Sequence, residues 1–285
     1  MAELTGIYTA SHTPVMLNFP DRIPSDLRNE IFGAYEAMGR DFESGKPDAL
    51  VVLSNDHLHN FFLDNFPALC IGVGEQYESP IEHWLKAKRR IFTGDQAFGA
   101  YLLQEALKAE FDPSFSMEMV LDHGALTPLE LAGLDPDLPI VPILFNCVQP
   151  PMPTMRRCYN FGKFLGRAIR NYKGVERVAI LATGGISHDI ATPRMGMVNR
   201  DFDSRLLELM EAGDHDEVIR YATDFVHTAG NGAEEIRMWM AAMGAADGLP
   251  FQRTYYRAVN DWYTGIGIGR FEQSAGTNAG GHHAG

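Results

Sequence analysis

The stretch Val178-Ala179-Ile180-Leu181-Ala182-Thr183-Gly184-Gly185-Ile186-Ser187-His188 decides the fold. Its first four residues form an apolar run that reads as a buried strand. Two glycines stop the run, and a histidine stands just past the stop. Glycine lets the backbone turn sharply and lets another group approach closely. Ligands of open α/β sheets collect outside the carboxyl ends of the strands. His188 therefore stands where a reactive group would stand. One loop histidine alone is better read as a local hydrogen-bonding residue. The balance changes because the chain repeats the arrangement.

Working outward, Leu4 to Ala10 reads as a first strand that ends at Ser11-His12-Thr13-Pro14, where Pro14 prevents simple continuation. Ala49 to Ser54 is a second buried strand and runs into Asn55-Asp56-His57-Leu58-His59. Phe66 to Val73 reads as a third strand, and Leu138 to Phe145 as another, interrupted by Pro142. The region from Gly74 to Arg90 is loop-like, with turn signals at Ser79-Pro80, and His123 lies in a short Asp122-His123-Gly124 turn. Ser25 can cap a helix to about Phe42, with Leu27, Ile31, Tyr35 and Met38 on one face. Further helices are predicted over about 97–111, 154–172, 201–211, 216–227 and 232–244, and the chain turns β-like through 254–257 and 263–268.

This alternation predicts an α/β fold: a central mixed or mostly parallel sheet flanked by helices, with a metal site at the strand ends. The strand order is not legible. A single catalytic domain is expected over 1–272. The Gly-, Ala- and Ser-rich stretch 273–285, with His282 and His283, cannot bury a core and is expected to be a disordered tail.

Composition narrows the function. The 285 residues are 45% hydrophobic, enough for one large core. The net charge of −13 excludes a basic stripe for nucleic acid, and anionic membranes would repel such a surface. Cys70, Cys147 and Cys158 have no CxxC spacing and fit free thiols in a reducing compartment, not a disulfide framework or a thiolate zinc site. The N-terminus shows no basic segment followed by an apolar one, and no apolar run approaches a membrane span. A cytoplasmic protein is expected.

Histidines at several strand ends can converge on one pocket, and neutral imidazoles are common metal ligands. His12, His57 and His188 each follow a strand-like run, and His123 shares their turn context. There is no HExxH helix, EF-hand loop, phosphate loop or Gly-x-Ser-x-Gly elbow. The run Gly265-Ile266-Gly267-Ile268-Gly269 has the wrong spacing for a dinucleotide site and reads as a close-packed strand. Two histidines and a carboxylate suit a non-haem Fe(II) site that activates oxygen, and they suit a catalytic zinc equally well.

Taken in order, Ser11-His12-Thr13-Pro14, Asn55-Asp56-His57, Asp122-His123-Gly124 and Gly184-Gly185-Ile186-Ser187-His188 resemble the class III extradiol ring-cleaving dioxygenases. The segment 193–203 resembles the protocatechuate 4,5-dioxygenase branch. Glu235-Ile236-Arg237-Met238-Trp239, with Tyr255-Tyr256-Arg257 and Trp262, looks more like the single-chain 2,3-dihydroxyphenylpropionate dioxygenases. The resemblance spans roughly 5–271. It implies that His12, His57 and Glu235 hold Fe(II), that His188 is the base taking a phenolic proton, and that His123 is an acid beside the ligands. It implies a catechol-type substrate and O2, with opening of the ring to a hydroxymuconic-semialdehyde-type product. It also implies a homo-oligomer and allows a small separate helical subunit. The ring itself and the choice of proximal or distal cleavage stay open.

Two alternatives stand beside this reading: a zinc-dependent hydrolase on the same His/His/Glu set, and a non-catalytic Memo-like metal-binding or signalling protein. His59, two residues after His57, would face the same side in an extended segment and is a candidate to line the pocket. A helix begun at Asn231 and Gly232 places Glu235 on the apolar face with Met238, Trp239 and Met243, and leaves Glu234 a surface ion pair with Arg237. The bland expectation is that Glu235 pairs with a distant arginine such as Arg253 or Arg257.

Overall fold

A computed structural model describes residues 1–272, so the expected tail lies outside the described residues. Among the described residues ten strands form: β1 (Glu3–Ala10), β2 (Ala49–Asn55), β3 (Leu69–Gly72), β4 (Gln76–Ser79), β5 (Arg90–Thr93), β6 (Ser114–Ser116), β7 (Ile140–Phe145), β8 (Arg177–Thr183), β9 (Phe251–Val259) and β10 (Thr264–Phe271). Eight of them build one sheet in the order β6-β3-β7-β2-β8-β1-β10-β9. The middle four, β7, β2, β8 and β1, are parallel to one another. Antiparallel pairing joins β3 to β7, β10 to β1 and β9 to β10. The sheet is therefore parallel at its centre and mixed at its sides, as the sequence predicts.

Continuous apolar runs form the middle strands because both sheet faces are covered. Along β2, Val51 and Leu53 join one core, while Leu50 and Val52 join the other. One face is covered by α2 (Ser25–Ser44) and α4 (His123–Leu131), which follow the short α1 (Val15–Asn18) and flank α3 (Gln96–Lys108) in the chain. The other face is covered by α3, α5 (Met155–Asn171), α6 (Arg200–Ala212), α7 (His215–Phe225) and α8 (Ile236–Ala246). Ile266 and Ile268 of the glycine-rich run are core residues of β10. No described helix is long and apolar enough to cross a membrane.

Several local expectations are corrected. The stretch 74–90 contains β4 and leads into β5, and the two pair as a small antiparallel sheet with Tyr77 and Phe92 buried. His123 opens a helix and does not sit in a bare turn. Asp122 is the cap, accepting from the Gly124 N–H at 2.8 Å, and the helix contains Pro128. Gly124 and Pro128 are the residues that hide this helix in the sequence.

Pro142 does not interrupt β7. The ladder between β7 and β3 ends at Ile71–Ile143, and Gly72, the last residue of β3, leaves room for the Pro142 ring. The third strand is only Leu69–Gly72. Ser25 is the first residue of α2 and makes no capping bond. The helix expected over 232–244 starts as a 3-10 turn, Gly232–Glu235, and becomes α-helical at Ile236.

Candidate active site

Three of the candidate histidines leave the sheet side by side because their strands are neighbours and parallel. Ala10 of β1 lies opposite Thr183 of β8, and Ala182 lies opposite Leu53 of β2. The loops that follow carry His12, His57 and His188 to one edge. Gly184 makes the turn after β8 with φ +119°, a conformation that costs a side-chain-bearing residue strain. Gly232 lets the His188 ring pass, because a Cβ there would stand 2.0 Å from His188 Nε2. Glu235 enters from the 3-10 turn before α8, and the Gly185 N–H donates to its Oε2 at 2.8 Å.

The side chains converge on one carboxylate. His12 Nε2 lies 3.0 Å from Glu235 Oε2, His57 Nε2 lies 3.2 Å from Oε1, and His188 Nε2 lies 3.7 Å from Oε2. A ring nitrogen of His123 comes within 4.8 Å of those of His12 and His57, and the His57 and His123 rings stack at 4.1 Å. His12 and Glu235 are buried, while His57 and His188 keep a little exposure.

The far ring nitrogens are satisfied. His12 Nδ1 meets Thr183 Oγ1 at 3.1 Å, and Thr183 donates in turn to Ser54. His57 Nδ1 meets Asp122 Oδ2 at 2.9 Å. With its proton held at Nδ1, the His12 ring turns its Nε2 lone pair to the Glu235 carboxylate, while His57 Nε2 meets both Glu235 Oε1 and the Asn55 amide nitrogen. His12 Nε2 is buried with no hydrogen-bond partner. Lone pairs aimed at a carboxylate repel unless a cation stands between them, and polar atoms are seldom left buried and unpaired. The donor set thus fits a divalent metal, and partners on the outer nitrogens are the usual support for metal-ligating histidines.

Among the protein groups alone, the charge of Glu235 and Asp122 is balanced by a proton on His57. Burial would raise the Glu235 carboxyl, but His12, His188 and His57 outweigh it and hold it well below the ordinary value. Burial would lower His57, but Asp122 and then Glu235 hold it well above. Burial lowers His188, with Glu235 opposing, so its imidazole is neutral at pH 7. Its Nδ1 faces the Ile186 carbonyl at 3.3 Å, which leaves Nε2 as the accepting nitrogen. Burial and the neighbouring His57 push His123 down to about 4, against the pull of Glu82.

The structure also supplies residues that sequence reasoning missed. Glu82, from the stretch read as a loop, is buried and accepts from His123 Nδ1 at 2.6 Å and from the His123 backbone N–H at 3.0 Å. His59 lines the cavity 3.4 Å from Glu82, brought there by a bend at Leu58 (φ +62°) and not by an extended segment. Asp203 of α6 accepts from the Ser187 N–H, the Ser187 hydroxyl and the Tyr256 hydroxyl, pinning the loop that carries His188. Burial pushes the Asp203 carboxyl up to about 7. Asp122 belongs to a quoted motif, but only the fold turns it onto His57. The Glu234–Arg237 pair forms, yet Arg237 is buried and also donates to the Pro153 carbonyl, so it is not a surface pair. Arg253 pairs with Glu211, and the partners of Glu235 are the histidines.

A parallel-centred α/β sheet with a His/His/carboxylate cluster at its strand ends makes a metal-binding type of site that non-haem iron oxygenases and zinc hydrolases share. The sequence matches, over residues 6–267, the family described as the catalytic LigB subunit of aromatic ring-opening dioxygenase, and the chain belongs to that family. It is 27% identical to a 2,3-dihydroxyphenylpropionate/2,3-dihydroxicinnamic acid 1,2-dioxygenase of Rhodococcus sp, over 90% of this chain and 95% of the relative. It is 28% identical to the enzyme of the same name from Burkholderia vietnamiensis, over 90% and 94%. Among solved structures, an uncharacterized protein, JW3007, from Escherichia coli K12 shares the fold with a TM-score of 0.62 at 14% identity, over 94% of this chain and 99% of that one.

Proposed function

We propose that this ring-opening dioxygenase is an extradiol enzyme that uses Fe(II) held by His12, His57 and Glu235 and acts on a catechol-type ring with O2. The observation that carries the reading is the buried, partnerless His12 Nε2, 3.0 Å from Glu235 Oε2, with His57 Nε2 3.2 Å from the other oxygen of the same carboxylate. A ferrous ion in this set supplies Lewis acidity to the diol oxygens and the redox chemistry that dioxygen requires.

The chain supplies the proton handling. His188, neutral with Nε2 free, accepts a phenolic proton as the diol binds. Asp203 and Ser187 hold its loop. His123 rests neutral, so it serves as an acid only after taking up a proton, and Glu82 at 2.6 Å stabilises the imidazolium so formed. A largely apolar cavity of about 320 Å³ lies over the histidines and has room for a ring. The three free cysteines are buried, which suits the cytoplasmic setting inferred from the sequence.

The test is an anaerobic iron-loaded preparation assayed against a catechol panel for oxygen uptake and for the visible absorbance of the ring-opened product. One oxygen consumed per ring opened is expected with iron and none with zinc. No uptake with any catechol would overturn the reading.

A further inference from the structure

The cavity over the histidines has an outer wall with its own chemistry. Val15, Trp84, Ile190, Met195 and Tyr263 form it. Among the described residues, Trp84, Ile190 and Met195 belong to the exposed large hydrophobic side chains, at 54%, 45% and 49% exposure, and they gather at one mouth. Apolar groups left in water around a single concavity mark a place for apolar ligand surface.

The charges point the same way. No Lys or Arg lines the cavity among the described residues. Two arginines touch lining side chains from outside the cavity, and one of them is ion-paired. Arg194 Nε donates to Asp189 Oδ2 at 2.9 Å, and Arg22 Nη1 donates to the Tyr263 hydroxyl at 2.7 Å while stacking on Phe19. Apart from the histidines, the only charged side chain in the lining is the Asp189 carboxylate. His59 at the rim already faces Glu82. A carboxylate on a ring substituent would lose water here and meet no Arg or Lys among the lining side chains. Each of these disfavours the charged form.

We propose that this wall selects catechols whose ring substituent is neutral and apolar, alkyl or aryl, over catechols whose substituent carries a carboxylate, with Ile190, Met195 and Trp84 as the residues that set the preference. The inference rests on the ring-cleaving reading of the site. It separates this chain from the relatives above, whose named substrates bear a carboxylate.

The test compares 3-butylcatechol with 2,3-dihydroxyphenylpropionate, whose side chains are similar in length, and uses unsubstituted catechol as the reference. Iron-loaded protein is assayed for kcat/KM by oxygen uptake, and anaerobic Kd is measured by calorimetry. A kcat/KM at least about tenfold higher for 3-butylcatechol is expected, with the tighter Kd following it. Ile190→Arg, checked for folding by circular dichroism, should narrow or reverse the ratio by giving the carboxylate a partner. A wild-type preference for the propionate, or a folded Ile190→Arg with an unchanged ratio, would overturn the inference while leaving ring cleavage standing. No oxygen uptake with any of the three, catechol included, would instead remove the underlying reading, and the inference with it.

Discussion

Two cavities open at opposite ends of the same parallel strands. The one at the amino ends is the larger, about 820 Å³, and Glu3, Asp41, Arg177 and Arg270 are among its lining residues. The one at the carboxyl ends is about 320 Å³. In the larger, the charges answer each other: Arg177 pairs with Asp48 at 3.0 Å, and Arg270 pairs with Asp41 and Glu272. In the smaller, three imidazoles surround one carboxylate, and a buried ring nitrogen has no partner. The unpaired buried group, and not the volume, marks the cavity proposed for the chemistry.

The strongest way to break that contrast is to remove the carboxylate at the centre. Glu235→Gln should lose tight Fe(II) binding and ring cleavage together, while Glu234→Gln, whose partner is Arg237, should keep both. Iron content after desalting decides it, and the reverse pattern would remove Glu235 as a ligand. Next in size, His188→Gln should retain iron and substrate but lose about 100- to 10,000-fold in turnover, the usual range for a general base. Loss of iron from that variant would make His188 a ligand.

Asp122→Asn tests the support behind His57. Partners of this kind are worth about 10- to 100-fold in metal affinity, and an iron titration that shifts by less than twofold would discount the 2.9 Å contact.

Asp203 gives a pH test. Its folded carboxyl titrates at about 7, above its ordinary value, so the folded state holds the proton more tightly than the unfolded chain. The group's contribution to stability is complete below the ordinary carboxylate range and is lost as pH rises through about 7, with a slope of at most about 1.4 kcal/mol per pH unit. Urea unfolding of Asp203→Asn should lack that decline between pH 5 and 8. Identical slopes in variant and wild type would place the Asp203 carboxyl at its ordinary value.

The smallest effect is expected at the other end. Arg177→Met breaks a half-exposed pair and should cost about 1 kcal/mol or less. Turnover should stay within about twofold, and a large loss of turnover would mean that the two ends are coupled.

Much of the site was legible because its parts are local. Each of His12, His57 and His188 follows its own apolar run and its own turn residues, and these signals need no partner to be read. Glu82 was not legible. It lies 41 residues from His123, in a stretch whose Ser79-Pro80 turn signal outweighed the alternation that makes β4. The helix α4 was hidden by Gly124 and Pro128, although Asp122 caps it. Asp203 falls inside the segment 193–203 and the helix expected over 201–211, and only packing buries it against Ser187.

The sequence by itself determined the α/β class, the strand-then-turn placement of three histidines, and the exclusion of thiolate and phosphate-loop chemistry, because buried runs, glycines and cysteine spacing act over a few residues. Only the tertiary structure decided that β2, β8 and β1 are neighbours. That adjacency carries His57 to Glu235 across 178 positions of chain. It turns Asp122, Thr183 and Glu82 onto the outer nitrogens of three rings, and it leaves one lone pair at His12 with nothing but a carboxylate to face. Such pairings depend on strand order and helix docking, which the burial of the whole chain sets and no short stretch encodes.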